Sequence, residues 1–87
     1  MINQKIMINN PSGLHLRPAG NLCNEAMKYQ SAITFEYDGG TANAKSVLSV
    51  LGAYIKCGDE IELICDGADE QEAMKALTDA ISGGLGE

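Results

Sequence analysis

The residues best suited to chemistry lie in one short segment, residues 10–19. His15 is the only histidine of the 87-residue chain, and Arg17 is its only arginine. The segment opens with turn residues, and an apolar repeat of helical period begins at Leu16 or Ala19. The spacing therefore predicts that His15 lies at or near the N-cap of a helix, with Arg17 in the first turn.

A helix that starts at this point would form an anion site. Its first backbone N–H groups, those of Leu16 and Arg17, have no partner inside the helix, and the helix dipole adds partial positive charge. Phosphate is a common ligand at such a position, and a guanidinium suits its oxygens. The imidazole of His15 could act there as a nucleophile toward phosphorus. Because no second acid, base or metal ligand accompanies it, we expect a group that is held and passed on.

Other interpretations of His15 remain open from the spacing alone. A histidine near a helix start is often only a surface or capping residue, and Arg17 could equally be a solvated side chain. A small regulatory or ligand-binding domain of similar layout would use His15 in that way. An enzyme with His15 as a general base is a third class, which the lack of a partner residue disfavours.

Two motifs resemble one protein family. The run Gly13–Ala19 is similar to the active-site signature of HPr, the histidine phosphocarrier of the bacterial sugar phosphotransferase system. The run Lys45–Leu48 resembles the serine phosphorylation segment of that family, at the family's usual distance from the histidine. The chain length and the ending, residues 84–87, also resemble HPr of Gram-positive bacteria. The resemblance covers essentially the whole chain, which we expect to form a single domain over residues 1–87.

The resemblance implies a function and a role for each site residue. Enzyme I, charged by phosphoenolpyruvate, would phosphorylate His15 at Nδ1, and the group would pass to the IIA units of sugar permeases. Arg17 and the N–H groups of Leu16 and Arg17 would hold the phosphoryl oxygens, and the Ser12 hydroxyl would add a contact. No cofactor or metal ion is implied. Successive partners would share a small docking patch, made of Leu16, Gly20, Val47, Leu48 and Leu51.

Ser46 is the second expected modification site. It precedes a short apolar run and is predicted to be the N-cap of a second helix. A phosphate of charge about −2 would meet the N–H groups of that helix, beside Val47 and Leu48. A plain capping serine is the alternative. The resemblance implies a dedicated serine kinase/phosphorylase, and a catabolite repressor protein that works with the modified form to control transcription.

A few positions differ from the family pattern. Asn24 and Met27 stand where family members often carry basic or long polar side chains, which bears on the electrostatic part of docking to enzyme I. Paralogues that lack the histidine serve only in regulation. Because His15 is present, we expect a phosphocarrier, with a paralogue for nitrogen or catabolite regulation as the alternative.

Composition limits the class of protein further. Six basic and twelve acidic residues give a net charge of −6, which argues against direct nucleic-acid binding. No apolar run reaches membrane-span length and nothing resembles a cleavable signal, so we expect a soluble, cytoplasmic protein without membrane insertion. We also expect it to be a monomer. The three cysteines lack metal-site spacing. We expect Cys23 and Cys65 to be buried and reduced, and Cys57 to be the exposed one.

The periodicity of the chain predicts the element order β-α-β-β-α-β-α. Asp69 and Glu72 predict a capping box at the last helix. The predicted strands are residues 2–8, 33–37, 41–44 and 60–66. The predicted helices are residues 16 or 19 to about 29, about 47–53, and a last helix that starts at Asp69 and that Gly83 and Gly84 end. This order indicates an α+β two-layer sandwich with three helices on one face of a four-stranded antiparallel sheet. The resemblance adds the strand order 1-4-2-3. Composition leaves open whether the apolar residues of the short helix are exposed or buried.

Overall fold

Strands and helices follow each other in the predicted order, and the computed structural model describes all residues, 1–87. The strands are β1 (Ile2–Met7), β2 (Ala32–Tyr37), β3 (Gly40–Asn43) and β4 (Glu60–Asp66). The helices are α1 (Leu16–Ala26), α2 (Val47–Gly52) and α3 (Glu70–Ser82). The prediction for α1 was about three residues too long at its C-terminal end. None of the helices combines the length and the apolarity that a membrane crossing requires.

The four strands form one antiparallel sheet in the order β1-β4-β2-β3, which confirms the expected topology. β4 pairs with both β1 and β2, so that Ile6 lies opposite Ile61 and Phe35 lies opposite Leu63. Alternate residues of a strand point to the same face. Ile61, Leu63 and Cys65 are therefore all buried on the face that the helices cover.

The core between sheet and helices is mainly aliphatic, and Phe35 is its one fully buried aromatic ring. α1 contributes the apolar face that its periodicity predicted, Ala19, Leu22, Cys23 and Ala26. α3 contributes Ala73, Met74, Leu77 and Ile81. Burial of each large aliphatic side chain stabilises the fold by roughly 1.5–3 kcal/mol. The positions of α1 and α3 on the sheet are thus set by their apolar faces.

The C-terminal end of α3 folds back on the helix. The N–H of Leu85 donates to the carbonyl of Ala80 at 3.1 Å, and the N–H of Gly84 donates to that of Ile81 at 3.0 Å. This is the Schellman arrangement, and Gly84 has the positive φ of +89° that it requires. Leu85 returns to the core as a result, and Glu87 is directed toward the loop that follows β1.

The predicted capping box at α3 is wrong, although Asp69 is the N-cap residue. Its carboxylate accepts hydrogen bonds from the hydroxyl and the N–H of Ser31 and from the N–H of Gln30, instead of capping its own helix. These bonds, the Ser31 hydroxyl first, hold the pKa of Asp69 below its ordinary value. Glu70 accepts from the N–H of Gly67 at 3.1 Å. The tertiary fold places unpaired donors before β2 next to Asp69, and they compete successfully for its carboxylate.

Candidate functional site

His15 is the N-cap of α1, as predicted from the sequence. Its backbone is extended, with φ −74° and ψ −175°, and its side chain is exposed and makes no capping hydrogen bond. The carbonyl of His15 accepts the N–H of Ala19 at 2.8 Å. The N–H groups of Leu16 and Arg17 donate to no acceptor in the chain. An imidazole therefore stands beside two free amide donors at the positive end of a helix.

The loop that precedes His15, here the His15 loop (residues 10–14), is hydrogen-bonded to the segment after α2. The N–H of Gly13 closes a turn on the carbonyl of Asn10 at 3.0 Å, and the N–H of Leu14 donates to the carbonyl of Ile55 at 3.0 Å. Gly13 is buried with φ +64°, and a Cβ added there would lie 2.5 Å from the carbonyl oxygen of Ile55. Only glycine permits this close approach, so the position of the His15 loop against the backbone of Ile55 depends on Gly13.

Ser12, predicted as a phosphoryl ligand, already donates hydrogen bonds to the Glu87 carboxylate of the same chain. Its N–H donates to Glu87 Oε1 at 3.2 Å, its hydroxyl donates to Glu87 Oε2, and Asn10 Nδ2 donates to Oε1 at 3.0 Å. These bonds, the Ser12 hydroxyl first, hold the pKa of Glu87 below its ordinary value, and the positive charge of Arg17 adds a smaller effect. Sequence reasoning missed Glu87 because it lies 75 positions from Ser12.

Ser46 is the N-cap of α2, as predicted, and its hydroxyl oxygen accepts the N–H of Ser49 at 3.3 Å. The residue before it joins α2 to α1. The carbonyl of Lys45 accepts the thiol of Cys23 at 3.2 Å, and the ammonium of Lys45 donates to the carbonyl of Tyr29 at 2.7 Å. The start of α2 is therefore fixed against α1, which also carries His15 at its own start.

The apolar residues of α2 divide between core and surface, which answers the question that composition left open. Val50 is fully buried, Val47 and Leu51 are half-buried, and Leu48 is 81% exposed. In α1, Leu16 is 70% exposed, and a Cβ added at Gly20 would meet no atom within 4 Å. The expected docking patch is thus uneven, and its most exposed side chains are Leu16 and Leu48.

An open cleft of about 590 Å³ separates the His15 loop from α2. Three residues that the sequence analysis assigned to the site or the docking patch line it, namely His15, Leu48 and Leu51. The lining also includes Leu14, Tyr54 and Lys56. Leu16, Gly20 and Val47 do not line it. Tyr54 and Lys56 are residues that sequence reasoning missed, because no local pattern marks the segment after α2 as part of a site. The cleft has a lysine and a histidine in its lining and no carboxylate, although the protein as a whole is acidic.

The cysteines are disposed as expected. Cys23 and Cys65 are buried and Cys57 is exposed, and all three are free thiols. Burial raises the pKa of the Cys65 thiol, which keeps it protonated and unreactive.

An exposed imidazole thus lies beside free amide donors on a two-layer fold with strand order 1-4-2-3, an arrangement that suits a protein carrying phosphoryl groups. Comparison with known proteins identifies the family. The family model described as "PTS HPr component phosphorylation site" matches residues 2–82. The chain belongs to the HPr family. Phosphocarrier protein HPr of Neisseria meningitidis is 39% identical over 100% of this chain and 98% of that protein. HPr-like protein Crh of Bacillus subtilis is 38% identical over 88% of this chain and 91% of that protein.

Solved structures of relatives have the same fold. HPr of Thermoanaerobacter tengcongensis, 39% identical, superposes with a TM-score of 0.95 over 100% of this chain and 98% of that one. Another structure of HPr from that organism is a dimer, and one of Crh from Bacillus subtilis is a swapped, intertwined dimer. The monomeric state expected for this chain therefore stays a prediction.

Proposed function

We propose that this chain accepts a phosphoryl group on His15 from phosphorylated enzyme I and passes it to the IIA units of sugar permeases. One observation carries the proposal: the imidazole is exposed and unbonded at a helix start where the next two N–H groups have no acceptor. A phosphoryl group on the ring would supply the missing acceptor oxygens. Membership of the HPr family supports the same chemistry.

The proposed transfer needs one nucleophile and a set of fixed donors. The lone pair of His15 Nδ1 forms a bond to phosphorus while the bond from phosphorus to its leaving group on enzyme I breaks. Negative charge on the three phosphoryl oxygens is stabilised by the N–H groups of Leu16 and Arg17 and by the Arg17 guanidinium. The same steps in the reverse sense deliver the group to a IIA unit. The chain itself is a carrier, since it is recharged after each delivery.

Incubation of the protein with enzyme I and phosphoenolpyruvate tests the proposal. We expect a mass gain of one phosphoryl group that is lost in acid, as phosphohistidine is. The group should also disappear when the phosphorylated chain, separated from enzyme I and phosphoenolpyruvate, is mixed with a IIA unit. A group that survives acid, or one that a IIA unit fails to remove, would contradict the proposal.

The docking patch fits the demands of a shared carrier. Its exposed residues, Leu16 and Leu48, flank His15 from two different helices, because the contacts of Lys45 hold the start of α2 against α1. Each partner must leave before the next can bind, so a small apolar surface with weak binding suits the function. Val47, Leu51 and Gly20 would complete the surface around these two side chains.

Regulatory phosphorylation at Ser46 is part of the proposal and predicts a second kind of modification. With ATP and the serine kinase/phosphorylase, we expect one acid-stable phosphoryl group on the wild type and none on Ser46→Ala. The substitution also removes the cap on the N–H of Ser49, at a cost of about 1 kcal/mol, so the variant stays folded. Intact-mass measurement before and after acid treatment distinguishes this group from the one on His15.

Ser49→Ala is the matched control for Ser46→Ala, because it removes a neighbouring hydroxyl of the same helix. It should be modified like the wild type. Modification that persists in Ser46→Ala would assign the site to another residue. The phosphorylated form is expected to bind the catabolite repressor protein.

Glu87→Gln should lengthen the life of the phosphoryl group on His15. The Glu87 carboxylate uses the donors of Ser12 and draws on the charge of Arg17, so it competes with phosphoryl oxygens for the same groups. We expect the half-life of the phosphorylated variant at neutral pH to increase roughly two- to fivefold. An unchanged or shorter half-life would place Glu87 outside the transfer site.

The same contact has a defined pH dependence. Because the folded pKa of Glu87 lies below its ordinary value of 4.5, the contact with Ser12 is fully present above that value. It is lost as the pH falls through the lower folded pKa. The amide resonance of Ser12, followed by NMR, should report this transition, and Glu87→Gln should remove it.

A regulatory paralogue is the second candidate function, and the similarity to Crh favours it. Crh and HPr relatives are about equally identical to this chain, at 38% and 39%. A purely regulatory protein would be phosphorylated at Ser46 but would not be phosphorylated by enzyme I at His15. The presence of His15 makes the carrier function our first choice.

A further inference from the structure

Tyr54 is the one residue lining the cleft whose backbone φ is positive. It follows the C-cap of α2, Ala53, and has a φ of +53°, the left-handed conformation that this position usually reserves for glycine. A bulky residue rarely adopts it, because its Cβ crowds the backbone. The chain therefore holds a tyrosine in strained geometry.

The backbone N–H of Tyr54 donates to the carbonyl of Leu51 at 3.2 Å, but the side chain makes no hydrogen bond or buried contact that would offset the strain. The side chain of Tyr54 is 81% exposed, and its hydroxyl makes no hydrogen bond. An exposed aromatic ring at a strained backbone position indicates a contact with another molecule, in which burial of the ring would contribute to binding. Such residues are frequent among those that contribute most to protein–protein affinity.

The surroundings of Tyr54 indicate what it would contact. It shares the cleft with His15 and with Leu48, which is equally exposed, so a partner that reaches the imidazole also covers both side chains. The only formally charged side chain in the cleft lining is Lys56. On its other side Tyr54 borders a smaller depression that contains Asp38 and two further carboxylates. A partner carboxylate is thus favoured over the cleft and disfavoured beyond the ring.

We infer that Tyr54 sets the affinity for enzyme I by forming the far wall of the cleft, where it receives an apolar side chain of that protein. The partner surface around that side chain carries a carboxylate that faces Lys56. This inference rests on the proposed function, because it assigns the occupant of the cleft to the protein that exchanges a phosphoryl group with His15. It extends the docking patch to the segment after α2, in which the sequence analysis named no docking residue.

Three substitutions of Tyr54 separate the ring from the backbone. Tyr54→Gly and Tyr54→Asn remove the ring and suit a positive φ, and Tyr54→Phe keeps the ring without the hydroxyl. In the enzyme I assay we expect the first two to raise KM for the carrier about tenfold with kcat unchanged, and Phe to match the wild type. Tyr54→Gly should also have a higher denaturation midpoint than the wild type, because the strain is removed. Met7→Ala, at an exposed apolar residue of β1, is the control and should leave KM unchanged.

The outcomes distinguish this inference from the proposed function. If Tyr54→Gly is phosphorylated with the KM of the wild type, the inference is overturned while the carrier function stands. A KM for Tyr54→Phe as high as that for Tyr54→Gly would also overturn it, since the ring would then not be the contact. If the wild type accepts no phosphoryl group from enzyme I, the proposed function itself fails.

Discussion

His15→Ala is expected to abolish phosphorylation by enzyme I and phosphoenolpyruvate while leaving the fold intact. The imidazole is the only nucleophile at the free N–H groups of α1, so no other side chain can replace it. The same side chain is exposed and makes no hydrogen bond, so its loss should change the free energy of unfolding by no more than about 0.5 kcal/mol. Mass spectrometry measures the first effect, and urea denaturation measures the second.

Arg17→Ala is the comparison variant, because it keeps the nucleophile and removes one stabilising charge. We expect it to be phosphorylated at a rate roughly 10- to 100-fold lower, the effect of losing one charge-assisted hydrogen bond. An acid-labile phosphoryl group on His15→Ala would move the acceptor to another residue. A wild-type rate for Arg17→Ala would show that the guanidinium does not contact the transferred group.

Gly13→Ala is expected to cause the largest loss of stability of any single methyl group added near the site. The new Cβ would lie 2.5 Å from the carbonyl oxygen of Ile55 and 2.8 Å from Cα of Lys56, and both are backbone atoms that cannot rotate away. The positive φ adds strain of its own. We expect a loss of about 2–4 kcal/mol in the free energy of unfolding, and a Tm lowered by roughly 10 °C or more.

The same substitution should impair phosphoryl transfer in whatever fraction stays folded. To relieve the clash the His15 loop must move away from Ile55, which breaks the hydrogen bond from the N–H of Leu14 and displaces His15. For stability Gly20→Ala is the matched control, because a Cβ there meets no atom within 4 Å. Since it lies inside α1, it should stabilise the chain by about 1 kcal/mol. Equal stability of the two variants would disprove the close approach at Gly13.

Local pattern was sufficient for most of the fold. The alternation of Ile61, Leu63 and Cys65 predicted β4, and the 3.6-residue repeat of α1 predicted its buried face, because both depend only on neighbours along the chain. Predictions from local pattern were wrong where a group distant in the sequence competes with a neighbour for the same hydrogen-bonding side chain. Asp69 has the sequence of a capping residue, yet its carboxylate binds Ser31 and Gln30, which the fold places beside it.

The candidate site divides in the same way. The sequence alone determined that His15 lies at the N-cap position of α1 and that Ser46 caps α2, because both positions follow from local pattern. It could not place Glu87 on the donors of Ser12, nor Tyr54 in one cleft with His15. These contacts are made by residues far apart in the chain, and only the packing of α2 and α3 on the sheet brings them together. The positions of the two phosphorylation sites at helix starts are therefore determined locally. The carboxylate that competes for the donors of Ser12, and the docking surface, are determined by the tertiary structure.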